Sequence, residues 1–432
     1  MRELELHNVG YGECIVLTGS RGEIFMVDCG SMNRIQREDG GELTHQFSES
    51  IRERYRESPS RAFLLTHCHR DHLCGFWNIL AREPRYFERI FLPASPRDRR
   101  GRSLLLEFAL FHTVFLRGQS DYARTNLAQL RLFERAARAA GPEAVRGVGA
   151  GDSFLFDGVS YDVLWPRRED YPFSALFAET VEELNVKLSS PFLPDCAARF
   201  RALKDRFCRL SAQADSGAVL TDELVTECAA VLGQIEEMAP ELGLLPPAPD
   251  IREILTRSVI ETAYSDELNA ASVVLQNHRT REASFDDILL TGDAAPETFD
   301  EIAPQLYENY YIFKAPHHGT ASHWSHLFST LSAEHVLISN GDYDQGGRIA
   351  QEYVDFPGVK HCTNCGPCAW FRGSGCSCSR MALCYEVPRG AGLTIKCPFV
   401  RGETAEAPCH IAVIGPRGRR ACLCDDLPAT PR

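Results

Sequence analysis

An alternating stretch and then short apolar runs, separated by glycine turns, open the chain. Residues 3–31 read as three short strands, with Gly10 and Gly12 between the first two, Asp28 at the end of the third and Gly30 in the turn that follows. A polar, helix-like link over residues 44–57 leads to Ala62-Phe63-Leu64-Leu65, a run without a polar residue that predicts a buried strand. Phe76–Leu80 then predicts a helix and Arg89–Pro93 another strand. Leu104–Ala140 carries Leu, Phe and Ala at helical spacing, with His112 inside it as a packed helix residue, and residues 149–166 read as a β-hairpin.

The pattern changes over residues 167–262. Phe200, Leu203, Phe207 and Leu210 step by three or four, as do Leu224, Cys228, Val231, Ile235 and Met238. Two such stripes predict a helical hairpin inserted between strand-rich segments. Strands return at Asn269–Leu275, at Ile288–Leu290 before Thr291-Gly292-Asp293, at Tyr311–Phe313, and at Val336–Ile338 as the closing strand.

Chemistry gathers where apolar runs end. Thr66-His67-Cys68-His69-Arg70-Asp71-His72 follows the run 62–65 directly. In an extended loop the His67 and His69 imidazoles can point toward one cation, and Asp71 and His72 can reach a second as the chain turns. Neutral imidazoles with a carboxylate suit Zn²⁺. Asp293 leaves the strand at 288–290 and can bridge two cations. His317 and His318 follow the apolar run at 311–313, and either completes the site; His323 and His326 are expected at the surface.

These motifs resemble the metallo-β-lactamase superfamily, and in particular the ComEC/Rec2-like branch of metallohydrolases. The resemblance rests on H-C-H-R-D-H at 67–72, N-A-A-S-V-V-L at 269–275, T-G-D at 291–293 and K-A-P-H-H-G-T at 314–320, and it covers roughly residues 1–345 apart from the helical insertion. It implies a four-layer αββα sandwich in two halves, 1–166 and 263–350, around the insertion at 167–262. It also implies two divalent metals at the strand ends, Zn²⁺ or alternatively Mn²⁺, with Asp28 as a supporting group behind the ligands. Asp71, with His317 or His318, would share the catalytic work. Departures from the family pattern are Glu13 in an acidic position usually held by aspartate, Thr320 in place of serine, and Gln345-Gly346-Gly347-Arg348 where a G-H-P element is expected. A third histidine for the first metal is also missing, with only His112 and His278 at hand.

Composition adds a second metal question. Ten of the 17 cysteines fall between Cys362 and Cys424. Cys362, Cys365, Cys368, Cys376, Cys378, Cys409, His410, Cys422 and Cys424 are candidate ligands of structural Zn²⁺, in a cysteine-rich module over 351–432. From residue 361 onward nine Lys or Arg stand against five Asp or Glu, in a chain whose net charge is −13. A basic tail, together with Arg97, Arg99, Arg100 and Arg102 in a loop that the resemblance would hang over the metals, points to a phosphate backbone as partner. No leader or membrane-length apolar run is evident, so a soluble cytoplasmic protein is expected.

The expected function is a metal-dependent hydrolase, a phosphodiesterase or nuclease acting through a metal-bridging hydroxide that Asp71 orients. Two rivals stand beside it: a hydrolase of small molecules such as a cyclic nucleotide, a phosphocholine-like ester, a thioester or a lactam, and a metal-bound regulatory protein without catalysis.

Overall fold

The computed structural model describes residues 1, 3–7, 9–32, 43–116, 123–279, 287–340 and 349–363, and the strands at 392–396 and 411–414. In chain order the elements begin with β1 (Glu3–His7), β2 (Ile15–Thr18), β3 (Ile24–Val27), α1 (Leu43–Arg54), β4 (Arg61–Leu64), α2 (Arg70–Arg82) and β5 (Arg89–Pro93). Next come α3 (Leu104–Leu116), α4 (Ala123–Leu130), α5 (Leu132–Ala140), β6 (Val145–Val148), β7 (Ser153–Phe156) and β8 (Val159–Trp165). Five helices follow: α6 (Ala175–Lys187), α7 (Asp195–Ala214), α8 (Asp222–Leu242), α9 (Ala248–Leu255) and α10 (Ser258–Ala270). The chain continues with β9 (Val274–Asn277), β10 (Ile288–Leu290), α11 (Pro296–Ile302), β11 (Asn309–Lys314), β12 (Ser332–Ile338), α12 (Gln351–Asp355), β13 (Val359–Cys362), β14 (Gly392–Lys396) and β15 (Ile411–Ile414).

The protein is α/β and falls into two compact units. One comprises residues 1–88, 151–165 and 272–432; the other comprises 89–150 and 166–271. These breaks differ from the sequence boundaries of 1–166, 167–262, 263–350 and 351–432.

The first unit holds two mixed sheets. One runs β15-β14-β1-β2-β3-β4, antiparallel until β3 and β4 pair in parallel. The other runs β13-β12-β11-β10-β9-β8-β7, with β10 to β13 parallel. Phe25 on β3 meets Phe154, Phe156 and Tyr161 of the second sheet at ring-centroid distances of 4.9, 5.8 and 6.4 Å, so the two sheets pack face to face. On the far side of the first sheet, Phe76 of α2 stacks on Phe63 of β4 at 4.1 Å. Phe313 of β11 is covered by Phe328 and Phe356 at 5.1 and 5.2 Å, and Phe328 in turn meets Phe299 of α11. Buried rings of this size are the main apolar stabilisation of such layers.

The second unit pairs β5 with β6 in parallel and is otherwise helical. Helix α3 is buried almost all round, a helix that cannot face water on any side and must be enclosed by others. Phe108 packs on Phe177 and Tyr264, and Phe111 on Phe200, which ties 104–116 to the helices of 166–271. The α7–α8 pair is the hairpin its stripes predict, with Phe200, Leu203, Phe207 and Leu210 all buried. Between residues 175 and 270, however, it is joined by three more helices.

Three further differences concern strands. Asn269 and Ala270 finish α10, and β9 starts only at Val274, because the Asn269 and Glu267 carbonyls accept from the Ala271 amide that ends the helix before the apolar run begins. Strand β12 does not close its sheet, since β13 pairs beyond it with Ile338 opposite Cys362. In the expected cysteine-rich module, β13 extends the second sheet and β14 pairs with β1 in the first, so part of 351–432 belongs to the sheets. Among the described residues, no helix is long and apolar enough to cross a membrane.

Candidate metal centre

Parallel strands set their C-terminal ends along one edge, where side chains from successive loops converge. Here those ends carry the chemistry. Asp28 follows β3, His67 and His69 follow β4, Asp293 follows β10, His317 and His318 follow β11, and Ser339 follows β12. Asp71 and His72 lie in the first turn of α2, which starts at Arg70, ahead of the Phe76 start that the sequence predicts. Gly30 makes that approach possible: a Cβ there would stand 2.4 Å from the Asp71 carbonyl carbon and 2.5 Å from the His72 nitrogen.

Asp71, His72, Asp293 and His318 each offer a donor atom within 4.8 Å of the others, and all four are buried. Asp293 Oδ2 lies 3.1 Å from His72 Nε2, 3.4 Å from His318 Nε2, 3.8 Å from His317 Nε2 and 4.0 Å from His67 Nε2. His318 Nε2 is also 3.1 Å from Asp71 Oδ2. His67 Nε2 and His69 Nδ1 approach to 3.0 Å beside this cluster.

Outer partners fix the rings. Asp28 Oδ2 accepts from His72 Nδ1 at 2.7 Å, and the Asp28 carboxylate also accepts from the Thr66 amide and hydroxyl, both at 2.7 Å. His318 Nδ1 donates to the Ser339 carbonyl at 2.7 Å, which leaves Nε2 turned toward the carboxylates. Ser272 Oγ accepts from the Asp293 amide and lies 3.2 Å from His67 Nδ1. Histidines held through one nitrogen and open at the other are the usual form of metal-ligating histidine. Three of the six non-glycine residues with left-handed backbone among the described residues are here: Asp28 at φ 57°, His317 at 45° and His318 at 57°. Such conformations cost about 1–3 kcal/mol each and gather at functional sites.

Charge explains the protonation states. Burial works against a charged His72, but Asp293, Asp28 and Asp71 outweigh it and hold its pKa well above the ordinary value. The same contest raises His318 to about 9, against burial, through Asp293 and Asp71. His67 goes the other way, well below its ordinary value, through burial and the neighbouring His72 and His69. Burial also brings His317 to about 3 and His323 to about 4. Burial disfavours the Lys314 ammonium, yet Glu13 and Asp293 hold its pKa above the usual lysine value.

The residues fit a divalent cation. The donor set is two imidazoles and two carboxylates, all buried, with Asp293 Oδ2 among the imidazole nitrogens. Carboxylates that pull protons onto His72 and His318 are a site with surplus negative charge. A cation entering it must displace those protons.

Of the sequence candidates, His67, His69, Asp71, His72, Asp293, His317 and His318 lie together, with Asp28 behind His72. Between the paired histidines, His318 belongs to the four-residue cluster, while half-buried His317 stands at its margin. His323 is not at the surface: it is buried, with Nδ1 2.7 Å from His317 Nδ1 and rings 3.9 Å apart, because a 3₁₀ turn folds it back. His326 is exposed. His112 is buried in α3, and exposed His278 pairs with Asp162.

The arginine loop belongs to the second unit. Arg97 is buried and pairs with Asp215 at 3.1 Å and Glu169 at 2.7 Å; Arg102 pairs with Asp98 at 3.2 Å and Glu182 at 2.8 Å. Arg99 and Arg100 are exposed. Two of the four charges are therefore committed inside this unit. Cys362 ends β13, buried and outside any disulfide; Cys365, Cys368, Cys376, Cys378, Cys409, His410, Cys422 and Cys424 lie outside the described residues, as do residues 341–348.

Sequence reasoning gave no role to Ser272, Thr66 or the Glu13–Lys314 pair. Ser272 and Lys314 stand in the quoted motifs, and a polar residue within an apolar strand context was the available signal. Compared with known proteins, the chain matches no family model and no curated sequence.

Proposed function

We propose that the protein is a metal-dependent hydrolase of the metallo-β-lactamase type, acting on phosphodiesters. The observation that carries this reading is the convergence of Asp71, His72, Asp293 and His318 from the ends of parallel strands in both sheets. These four would hold one cation, and His67 and His69, with Asp293 shared, a second. Divalent ions there supply Lewis acidity and an acidified water. The chain's own residues do the rest. Asp28 and the Ser339 carbonyl keep Nε2 of His72 and His318 facing inward. Asp71 Oδ2, beside His318, is placed to orient the attacking water. His317, kept neutral by burial and braced by His323, stands at the margin where it can hydrogen-bond to and polarise a scissile oxygen.

A polynucleotide is the substrate class we favour, on the basic composition after residue 361. With Arg97 and Arg102 paired, Arg99 and Arg100 are the residues of the loop to test. The experiment measures metal content and the hydrolysis of bis-p-nitrophenyl phosphate, single- and double-stranded DNA, and RNA. Metal with hydrolysis that Asp293→Ala removes supports the hydrolase; absence of metal refutes it. Arg99→Ala/Arg100→Ala should slow only the polynucleotides and flatten their log–log salt dependence by roughly 0.7–0.9 per lost contact. Cleavage of the small ester alone would assign a small-molecule substrate, and metal binding without any hydrolysis would leave the regulatory reading.

A further inference from the structure

Lys314 and Glu13 form an ion pair that is fully buried, and neither residue is in the donor set described above. Lys314 Nζ lies 2.5 Å from Glu13 Oε2, donates to the Gly292 carbonyl at 2.6 Å, and stands 3.5 Å from Asp293 Oδ1. Glu13 is itself tied to the α2 side of the centre: its amide donates to the Asp71 carbonyl at 2.9 Å, and its carbonyl accepts from Gly30 at 3.0 Å. A chain of contacts therefore runs from the Asp71 backbone through Glu13 and Lys314 to Asp293, joining the ligand loops of the two sheets.

The two oxygens of Asp293 are treated differently. Oδ1 faces the ammonium, whereas Oδ2 faces the nitrogens of four imidazoles. A carboxylate free to rotate would exchange its oxygens. With a cation beside one of them the other is presented to the site. Glu13 balances that cation so that its charge does not oppose a metal ion a short distance away.

We infer that Lys314, clamped by Glu13, is a positioning residue that fixes which oxygen of Asp293 meets the metal centre. The inference rests on the proposed metal-dependent function. In a Glu13→Gln variant the ammonium loses its balancing carboxylate and keeps Asp293 as its ion-pair partner among the described residues, so affinity for the incoming cation falls. In Glu13→Leu/Lys314→Met both charges are absent; a buried pair replaced by apolar side chains commonly leaves a folded protein.

The test titrates Zn²⁺ alone into metal-stripped protein by calorimetry, with thermal melting as the check on folding. Zn²⁺ affinity is expected to drop about tenfold or more in Glu13→Gln. The double variant is expected to recover affinity to within a few-fold of the parent, while its kcat on bis-p-nitrophenyl phosphate stays down by about tenfold at little-changed KM, since Asp293 is no longer held. A folded Glu13→Gln with parental Zn²⁺ affinity overturns the inference. A double variant with parental kcat does so as well, and it decides the matter if Glu13→Gln fails to fold. A parent protein that takes up no Zn²⁺ overturns the metal reading and this inference together, which separates that failure from one confined to the pair.

Discussion

Buried charge at the strand ends of the two-sheet unit is handled differently from buried charge in the helical unit. In the helical unit buried ions form closed pairs: Lys204 pairs with Glu107 at 2.8 Å, with Asn185 completing the carboxylate, and Arg97 pairs with Asp215. In the two-sheet unit such pairs also occur, Glu5 with Arg54 and Asp287 with Arg279, but at the strand ends Glu13, Asp28, Asp71 and Asp293 stand with Lys314, and His72 and His318 are drawn toward protonation to make up the difference. Closed pairs of the first kind are architecture. A cluster left short of positive charge could hold a metal ion.

The largest way to break this contrast is Asp293→Asn. It replaces one carboxylate oxygen with an amide nitrogen and removes the charge that faces four imidazoles, and hydrolysis and bound metal should fall by well over the roughly 10–100-fold that an outer-shell change costs. Elemental analysis with a steady-state assay checks both, and the melting temperature of the metal-free form should hold. Lys204→Met leaves Glu107 buried and unpaired and should cost about 3–5 kcal/mol in denaturant unfolding. Adding Glu107→Leu should recover most of that, with bound metal unchanged throughout. Asp28→Asn keeps the shape behind His72 and loses the charge, so Zn²⁺ affinity should weaken about 10–100-fold without loss of fold.

The smallest effect is one of pH. Burial brings His112 in α3 from 6.5 to about 4, so it is neutral when folded. As pH falls below about 6.5 the unfolded chain takes up a proton that the folded helix refuses, and stability declines until about pH 4. Between pH 7 and 5 this one group should account for a loss of about 2 kcal/mol. His112→Leu should remove that share of the acid sensitivity in urea titrations at the two pH values; an unchanged pH dependence would show that His112 finds a proton-accommodating partner in the helix packing.

Much of this was readable along the chain, and the part that was not has a common cause. Apolar runs placed β2 to β4 and the strands before Asp293 and His317, since a strand buried on both faces is apolar along most of its length, while alternation marked β1. Ligand spacing named Asp71, His72 and Asp293 because short loops after such strands leave little freedom. What stayed hidden depends on partners far off in sequence. Arg97 looks like a free surface charge until Asp215 arrives from 118 positions away. His323 looks exposed until its turn closes on His317. Helix α3 looked like part of the first strand-rich half, although its lack of any polar face was itself a sign that other helices must enclose it.

His317, His318 and Gly319 lie one after another in left-handed backbone. For glycine that is ordinary, but for the two histidines it is held against their preference. A population of variants sorted for thermal endurance would therefore drift toward glycine or asparagine at 317 and 318, shedding the strain and the imidazoles together. The same population sorted for retention of Zn²⁺ would keep histidine at 318. The two selections part company at this turn, and the residue that survives each one reports whether the fold or the chemistry set it.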